Sequence, residues 1–230
     1  MPLKKSKGNM YPWVTHTHSH LGGQCPHKCT YCYVQATEKR AKTGRYVGPV
    51  RLIEDEFAVN YGKDKTIFIE HMNDLFAKDV PNDFIRQIIA HCLRYPNNTY
   101  MFQTKNPQKI FKWMLFLPQN SIIGTTIETN REEYKTSEAI PVSMRHFHMC
   151  QIPSNFKRFV TIEPVLDFDV DILASWIANI KPDFVNLGAD SKGHDLPEPT
   201  VEKIMKFVEK LKSYGIELRE KYNLQRLKQK

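Results

Sequence analysis

Lys65 to Leu93 reads KTIFIEHMNDLFAKDVPNDFIRQIIAHCL, and within it one periodicity hands over to another. KTIFIE is a short run rich in Ile, Phe and Thr, the pattern of a buried strand. After a polar stretch, Phe84, Ile85, Ile88, Ile89, Cys92 and Leu93 recur on one helical face. The same unit repeats along the chain. TYMFQT (99–104) precedes Ile110, Phe111, Met114 and Leu115, and SIIGTTIE (121–128) precedes a weaker helix near Val142 to Cys150. RFVTIE (158–163) precedes Ile172, Leu173, Trp176, Ile177 and Ile180, and DFVNL (183–187) precedes Val201, Ile204, Met205, Val208 and Leu211. With Trp13 to Thr17 as a first strand, six strand-then-helix units result. Strict alternation demands parallel pairing through right-handed crossovers. Six units favour a partial (β/α)6 barrel, an α/β fold with mostly parallel strands, over an open doubly wound sheet. In either architecture the reactive groups belong at the carboxyl ends of the strands.

Arg45 to Ile53, RYVGPVRLI, interrupts the alternation, and its Gly48-Pro49 predicts an inserted hairpin over 45–53. With 230 residues and no visible linker or repeat, residues 1–230 are expected to close one domain. The formal charge of +8 is concentrated at the ends. Lys4, Lys5 and Lys7 lie in 1–10, and Arg219, Lys221, Arg226, Lys228 and Lys230 face only Glu220 in 219–230, so both segments read as solvated basic tails around a nearly neutral body. No apolar run is long enough to span a bilayer and no export signal is visible, so the expectation is a cytoplasmic protein with no membrane partner. Five cysteines, three of them within eight residues, fit a metal in a reducing compartment better than a disulfide framework.

Those three stand in QCPHKCTYCYV, Gln24 to Val34, with spacing C-x3-C-x2-C. Thiolates so close in sequence can converge on one metal centre from a single loop. No fourth cysteine lies nearby, which leaves one coordination position open.

With an aromatic residue, Tyr31, just before the third cysteine, this segment resembles the signature loop of the radical S-adenosylmethionine (SAM) superfamily. The resemblance implies a partial barrel of the radical SAM type whose Cys25, Cys29 and Cys32 ligate three irons of a 4Fe-4S cluster, the fourth iron binding SAM. It implies catalysis by reductive cleavage of SAM to a 5'-deoxyadenosyl radical, which abstracts hydrogen from a substrate, with electrons from a donor such as flavodoxin or ferredoxin. By the same resemblance Tyr31 packs by the adenine, and Asn73 and Asp74 stand where the superfamily often has Gly-Gly-Glu, as acceptors for the SAM amino group. Lys105 would face the SAM carboxylate, and Glu128 or Asn130 the ribose hydroxyls. Glu163 and Asp190 also end strands, without an assigned role. HMNDLF, and more loosely QTKNP and TIEPV, look like tracts of a phage-associated radical SAM group. The cysteine loop looks similar to that of the spore photoproduct lyases. The substrate stays open: basic ends and the aromatic residues Tyr11, Trp13, Tyr31 and Tyr33 lean toward a nucleotide or nucleic acid, a peptide or small metabolite competes, and a partner protein could present it.

Two other readings compete. His16, His18 and His20 alternate, share one face if extended, and could hold the metal of a barrel hydrolase. Cys25, Cys29 and Cys32 with His27 could instead hold zinc in a nucleic-acid-binding module. Cys92, inside an apolar stripe, is expected to be a buried structural thiol.

Overall fold

In the computed structural model, which describes residues 3–7 and 10–228, all six expected units are present and a further parallel strand follows them. Strands β1 (Lys4–Lys5) and β2 (His16–His18) come first, then a pair of short strands, β3 (Leu21–Gly22) and β4 (Arg51–Leu52), on either side of helix α1 (Tyr33–Ala41). Strand β5 (Thr66–Ile69) leads into α2 (Asn82–Leu93), β6 (Thr99–Thr104) into α3 (Pro107–Phe111), and β7 (Ser121–Thr126) into α4 (Val142–Cys150). Strand β8 (Lys157–Ile162) leads into α5 (Val170–Ile180), and β9 (Phe184–Leu187) into α6 (Val201–Ser213). Strand β10 (Leu218–Glu220) and a last helical turn, α7 (Gln225–Lys228), close the chain. The main sheet runs β1-β2-β5-β6-β7-β8-β9-β10, every pairing parallel except β1 with β2. The architecture is a partial (β/α)6 barrel of the radical SAM type.

The period-two pleat divides each strand between two environments. Ile67, Ile69, Tyr100, Phe102, Ile123, Val160, Ile162, Val185 and Leu187 belong to the core that includes the apolar stripes of α2, α5 and α6. The alternate residues Met101, Ile122, Phe159 and Phe184 join Tyr11, Val14 and Trp13 in a separate aromatic plug. Phe159 lies flat against β7 because residue 124 is glycine: a Cβ there would stand 2.1 Å from Phe159 Cζ. Toward the carboxyl ends the same alternation turns polar. Gln103 Nε2 donates to Thr126 Oγ1 at 3.0 Å, and the Tyr11 hydroxyl donates to Gln103 Oε1 at 2.9 Å.

Three sequence expectations need correction. The 219–230 segment is not a solvated tail. Residues 218–220 extend the sheet beside β9, and Leu224 and Leu227 bury themselves in the core. Its cations are engaged: Arg219 stacks over Phe184 at 3.6 Å, Lys221 pairs with Glu163 at 2.7 Å, Lys228 pairs with Glu220 at 2.6 Å, and Arg226 pairs with Glu198. In the 1–10 segment, Lys4 and Lys5 pair with Thr17 and His16, while Met1, Pro2, Gly8 and Asn9, like Gln229 and Lys230, lie outside the described residues. The 45–53 insertion does not fold back on itself as a hairpin. Its Arg51 and Leu52 pair antiparallel with Gly22 and Leu21, because the chain leaving β2 offers an unpaired edge close by.

Candidate functional site

The cysteine loop hangs from the carboxyl end of β2, clamped by the insertion. Gly23 N–H donates to Arg45 O and Gln24 N–H to Gly48 O, both at 2.8 Å. Gly23 has φ +84° and a Cβ there would lie 2.1 Å from Pro49 O, so only glycine fits. Tight turns close from Cys25 O to Lys28 N–H (3.2 Å) and from Cys29 O to Cys32 N–H (3.1 Å), and α1 begins directly after Cys32. All three cysteines are partly exposed. Burial pushes the thiols of Cys25 and Cys29 up, so a metal that binds them as thiolates must displace protons. The other two cysteines lie elsewhere: Cys92 is buried on α2, as its stripe predicts, and Cys150 is exposed at the end of α4. The donor chemistry of the loop, three thiols with no fourth, fits a cluster that keeps one iron open.

Asp74 lies under this loop, and its carboxylate is engaged from several sides. Its Oδ2 accepts from His27 Nε2 (2.8 Å), Thr104 Oγ1 (3.1 Å) and Lys105 N–H (2.8 Å), and its Oδ1 from Phe76 N–H (2.9 Å). Those donors outweigh its burial and hold the carboxyl below its usual range. Asp74 thus ties the loop, through His27, to the end of β6. Asn73 reaches the loop directly, Nδ2 donating to Gly23 O at 3.2 Å.

Tyr31 and Lys105 converge on the buried Glu128, which accepts from the Tyr31 hydroxyl and the Lys105 ammonium. Lys105 also reaches the Tyr31 hydroxyl and lies 5.0 Å from the centre of its ring. The second oxygen of Glu128 accepts from Arg145 Nη1 at 2.9 Å. Although burial alone would raise it, these two cations hold the Glu128 carboxyl down to about 2. Arg145 was not legible as a site residue, since it sits on the polar side of the weakest helix pattern; a buried arginine in α4 is visible only once the helix is placed. Asn130 is drawn away from the site: its Nδ2 donates to Asp169 Oδ2 (3.0 Å) and its Oδ1 accepts from Asp169 N–H (2.8 Å), so it braces the start of α5. Glu163 faces Lys221 and Asn223, and Asp190 accepts from His194 Nδ1 at 2.7 Å. A cavity of about 240 Å³ opens beside Glu128 and Arg145, walled by Tyr134, Thr136 and Ile140 among others. Its wall is joined to the cysteine loop where Thr30 N–H donates to Thr136 O at 2.9 Å.

Residues 11–199 match the family described as Protein of unknown function (DUF5131). The chain belongs to that family. No curated protein matches it. Among solved structures, the DUF5131 chain is similar in fold to a mutant spore photoproduct lyase with bound AdoMet and dinucleoside spore photoproduct, at TM-score 0.59 and 12% identity, over 91% of this chain and 65% of that one. It is also similar to Streptococcus suis SuiB bound to precursor peptide SuiA (TM-score 0.57, 10% identity, 89% and 48% covered) and to SuiB bound to S-adenosylmethionine (0.55, 11%, 92% and 51%). The chain therefore spans less than two thirds of the length of these structures.

The histidine trio of the hydrolase reading is not what this DUF5131 fold assembles. His16 Nδ1 pairs with Thr15 Oγ1 at 2.8 Å, while His18 and His20 pack at 4.4 Å between ring centroids. The third imidazole beside them is His91, from α2, its Nδ1 2.7 Å from His20 Nε2. All three are buried, which lowers His18 and His91 to about 4 and His20 to about 3. A hydrolytic metal needs a position open to substrate, and this cluster has none.

Proposed function

We propose that this DUF5131 protein is a radical SAM enzyme in which Cys25, Cys29 and Cys32 hold a 4Fe-4S cluster. When bound, that group supplies the electron that cleaves SAM and yields the 5'-deoxyadenosyl radical for hydrogen abstraction. The observation that carries the reading is the position of three thiols, without a fourth, on one loop at the carboxyl end of the first parallel strand of a partial barrel. The similarity in fold to structures with bound AdoMet supports it.

The chain's own groups then have defined tasks. Lys105 would offer its ammonium to the SAM carboxylate, while Arg145 holds Glu128 ionised. Glu128 and Tyr31 would hold the ribose and the adenine. Asn73 and Asp74 act by fixing the loop, in place of the direct amino-group contact expected of them, and Asn130 fixes the wall of the adjoining cavity. The cavity, walled by the 129–141 segment, would give the substrate a place next to the SAM site. An electron donor of the flavodoxin or ferredoxin type belongs to this reading, as does membership of the phage-associated group suggested by HMNDLF. The substrate stays a matter of class. Pairing of the C-terminal cations within the fold withdraws one support for nucleic acid, and the structures similar in fold carry a dinucleoside photoproduct in one case and a peptide in the other. A partner protein that presents the substrate also belongs to this reading. Among the described residues, no helix is long and apolar enough to cross a membrane.

Anaerobic purification with iron and sulfide analysis tests the cluster, and reduction in the presence of SAM tests catalysis through release of 5'-deoxyadenosine. Cys29→Ala is expected to abolish both signals. Iron-free protein from the oxygen-free preparation, or nucleoside release unchanged in Cys29→Ala, overturns the proposal. Deuterium carried into 5'-deoxyadenosine from a labelled candidate then identifies the substrate.

A further inference from the structure

The buried histidines behind β2 have a proton-counting problem that a metal ion solves. His91 Nε2 lies 3.0 Å from Val59 O, which can only accept, so this nitrogen carries the hydrogen and Nδ1 presents a lone pair. His20 Nδ1 lies 2.9 Å from the Glu70 carboxylate, so with Glu70 ionised its Nε2 also presents a lone pair. These two lone pairs face each other across 2.7 Å. His18 repeats the pattern: its Nε2 donates to Glu56 O at 3.2 Å, leaving Nδ1 unprotonated. One nitrogen from each of the three rings lies within 4.8 Å of the other two. An outer nitrogen donating to a carboxylate or a carbonyl, with the inner one left bare, is the arrangement that orients imidazoles on a metal. The Tyr61 hydroxyl, 3.1 Å from His20 Nε2, is placed to complete a four-coordinate set.

We propose that His18, His20 and His91 bind a zinc ion that is structural and separate from the cysteine loop. Three neutral imidazoles and an oxygen suit zinc, and tetrahedral coordination at about 2.0 to 2.1 Å places nitrogens roughly 3.3 Å apart, so the His20 and His91 rings open by about 0.6 Å to admit it. Relative exposures of 5%, 0% and 1% leave no route for a substrate. The ion would join α2 to the strand end from which the cysteine loop departs. Without a metal, the same geometry is satisfied only if one further proton sits on the Glu70–His20 pair, so that His20 Nε2 donates to His91 Nδ1; burial raises the Glu70 carboxyl to about 7, which favours that proton.

Zinc and iron are measured together in the anaerobically purified full chain. The expected result is about one zinc per chain, lost in His91→Gln with iron retained, and kept in Cys29→Ala with iron lost. Glu70→Gln, which replaces the carboxylate behind His20 with a neutral amide, should weaken zinc binding about 10- to 100-fold in a competition with a chelator. Should His91→Gln fail to fold, wild-type protein stripped by chelator and then given zinc must show a rise in melting temperature. Folded wild type without zinc and with no response to added zinc overturns the site in favour of the proton-bearing Glu70–His20 pair, and zinc that survives His91→Gln in folded protein overturns it in favour of other ligands. Failure of the cluster proposal would appear in the iron content alone, so the two fail separately.

Discussion

Replacing Glu128 by Gln removes one negative charge from between two cations without changing the volume of the side chain. Glu128 is 2% exposed and accepts from Lys105, Arg145 and Tyr31. Its carboxyl falls from 4.5 to about 2 in the fold. Each tenfold change in proton affinity is worth about 1.4 kcal/mol, so the ionised state contributes on the order of 3 kcal/mol at pH 7. The cost of breaking a buried ion pair, about 3 to 5 kcal/mol, is of the same size. The sign follows from depression of the folded value. The contribution is complete above the unfolded value near 4.5 and is lost as pH falls through about 2. In anaerobic urea titrations at matched iron content, E128Q should lie about 3 kcal/mol below wild type at pH 7 and nearly as far below at pH 5. By pH 3 the gap should shrink to less than half. A gap under about 1 kcal/mol at pH 7, or one that does not change between pH 7 and pH 3, would show that the Lys105 and Arg145 contacts do not hold the carboxylate as argued.

Asp74→Ala removes the acceptor of four hydrogen bonds under the cysteine loop, so it should cost at least about 2 kcal/mol and lower the iron retained per chain, read by urea titration and iron analysis. An unaltered iron content would mean that His27 does not transmit order to the loop. Gly124→Ala drives a methyl group into the Phe159 ring and should destabilise by about 1 to 3 kcal/mol, with Phe159→Leu restoring part of the loss in the double variant. If the two losses simply add, the contact is not the cause. Leu224→Ala, in the segment that reads as a tail, should cost about 2 to 5 kcal/mol because the side chain is fully buried, whereas a solvated tail predicts no change in melting temperature.

Residue order alone determined the strand-then-helix alternation and the spacing of Cys25, Cys29 and Cys32, because both depend on neighbours along the chain: period two, period 3.6, and thiols within one loop. The weak helix pattern at 142–150 and five of the six parallel strands emerge where their periodicities point, while the first, expected at 13–17, forms at His16–His18. Only tertiary structure decided what each charged side chain does. Asp74 and Asn130 carry the right chemistry for a ligand, and in the fold their oxygens also accept from the Lys105 and Asp169 N–H groups. Arg145 and His91 reach their partners from helices whose rotation about their axes is set by packing, so no spacing announces them. The C-terminal cations looked free because their partners, Glu163, Glu198 and Phe184, are remote in sequence or hidden until the sheet closes beside β9. A backbone pattern is a local property of the chain, whereas the partner of a charge is whatever folding brings within about 4 Å of it.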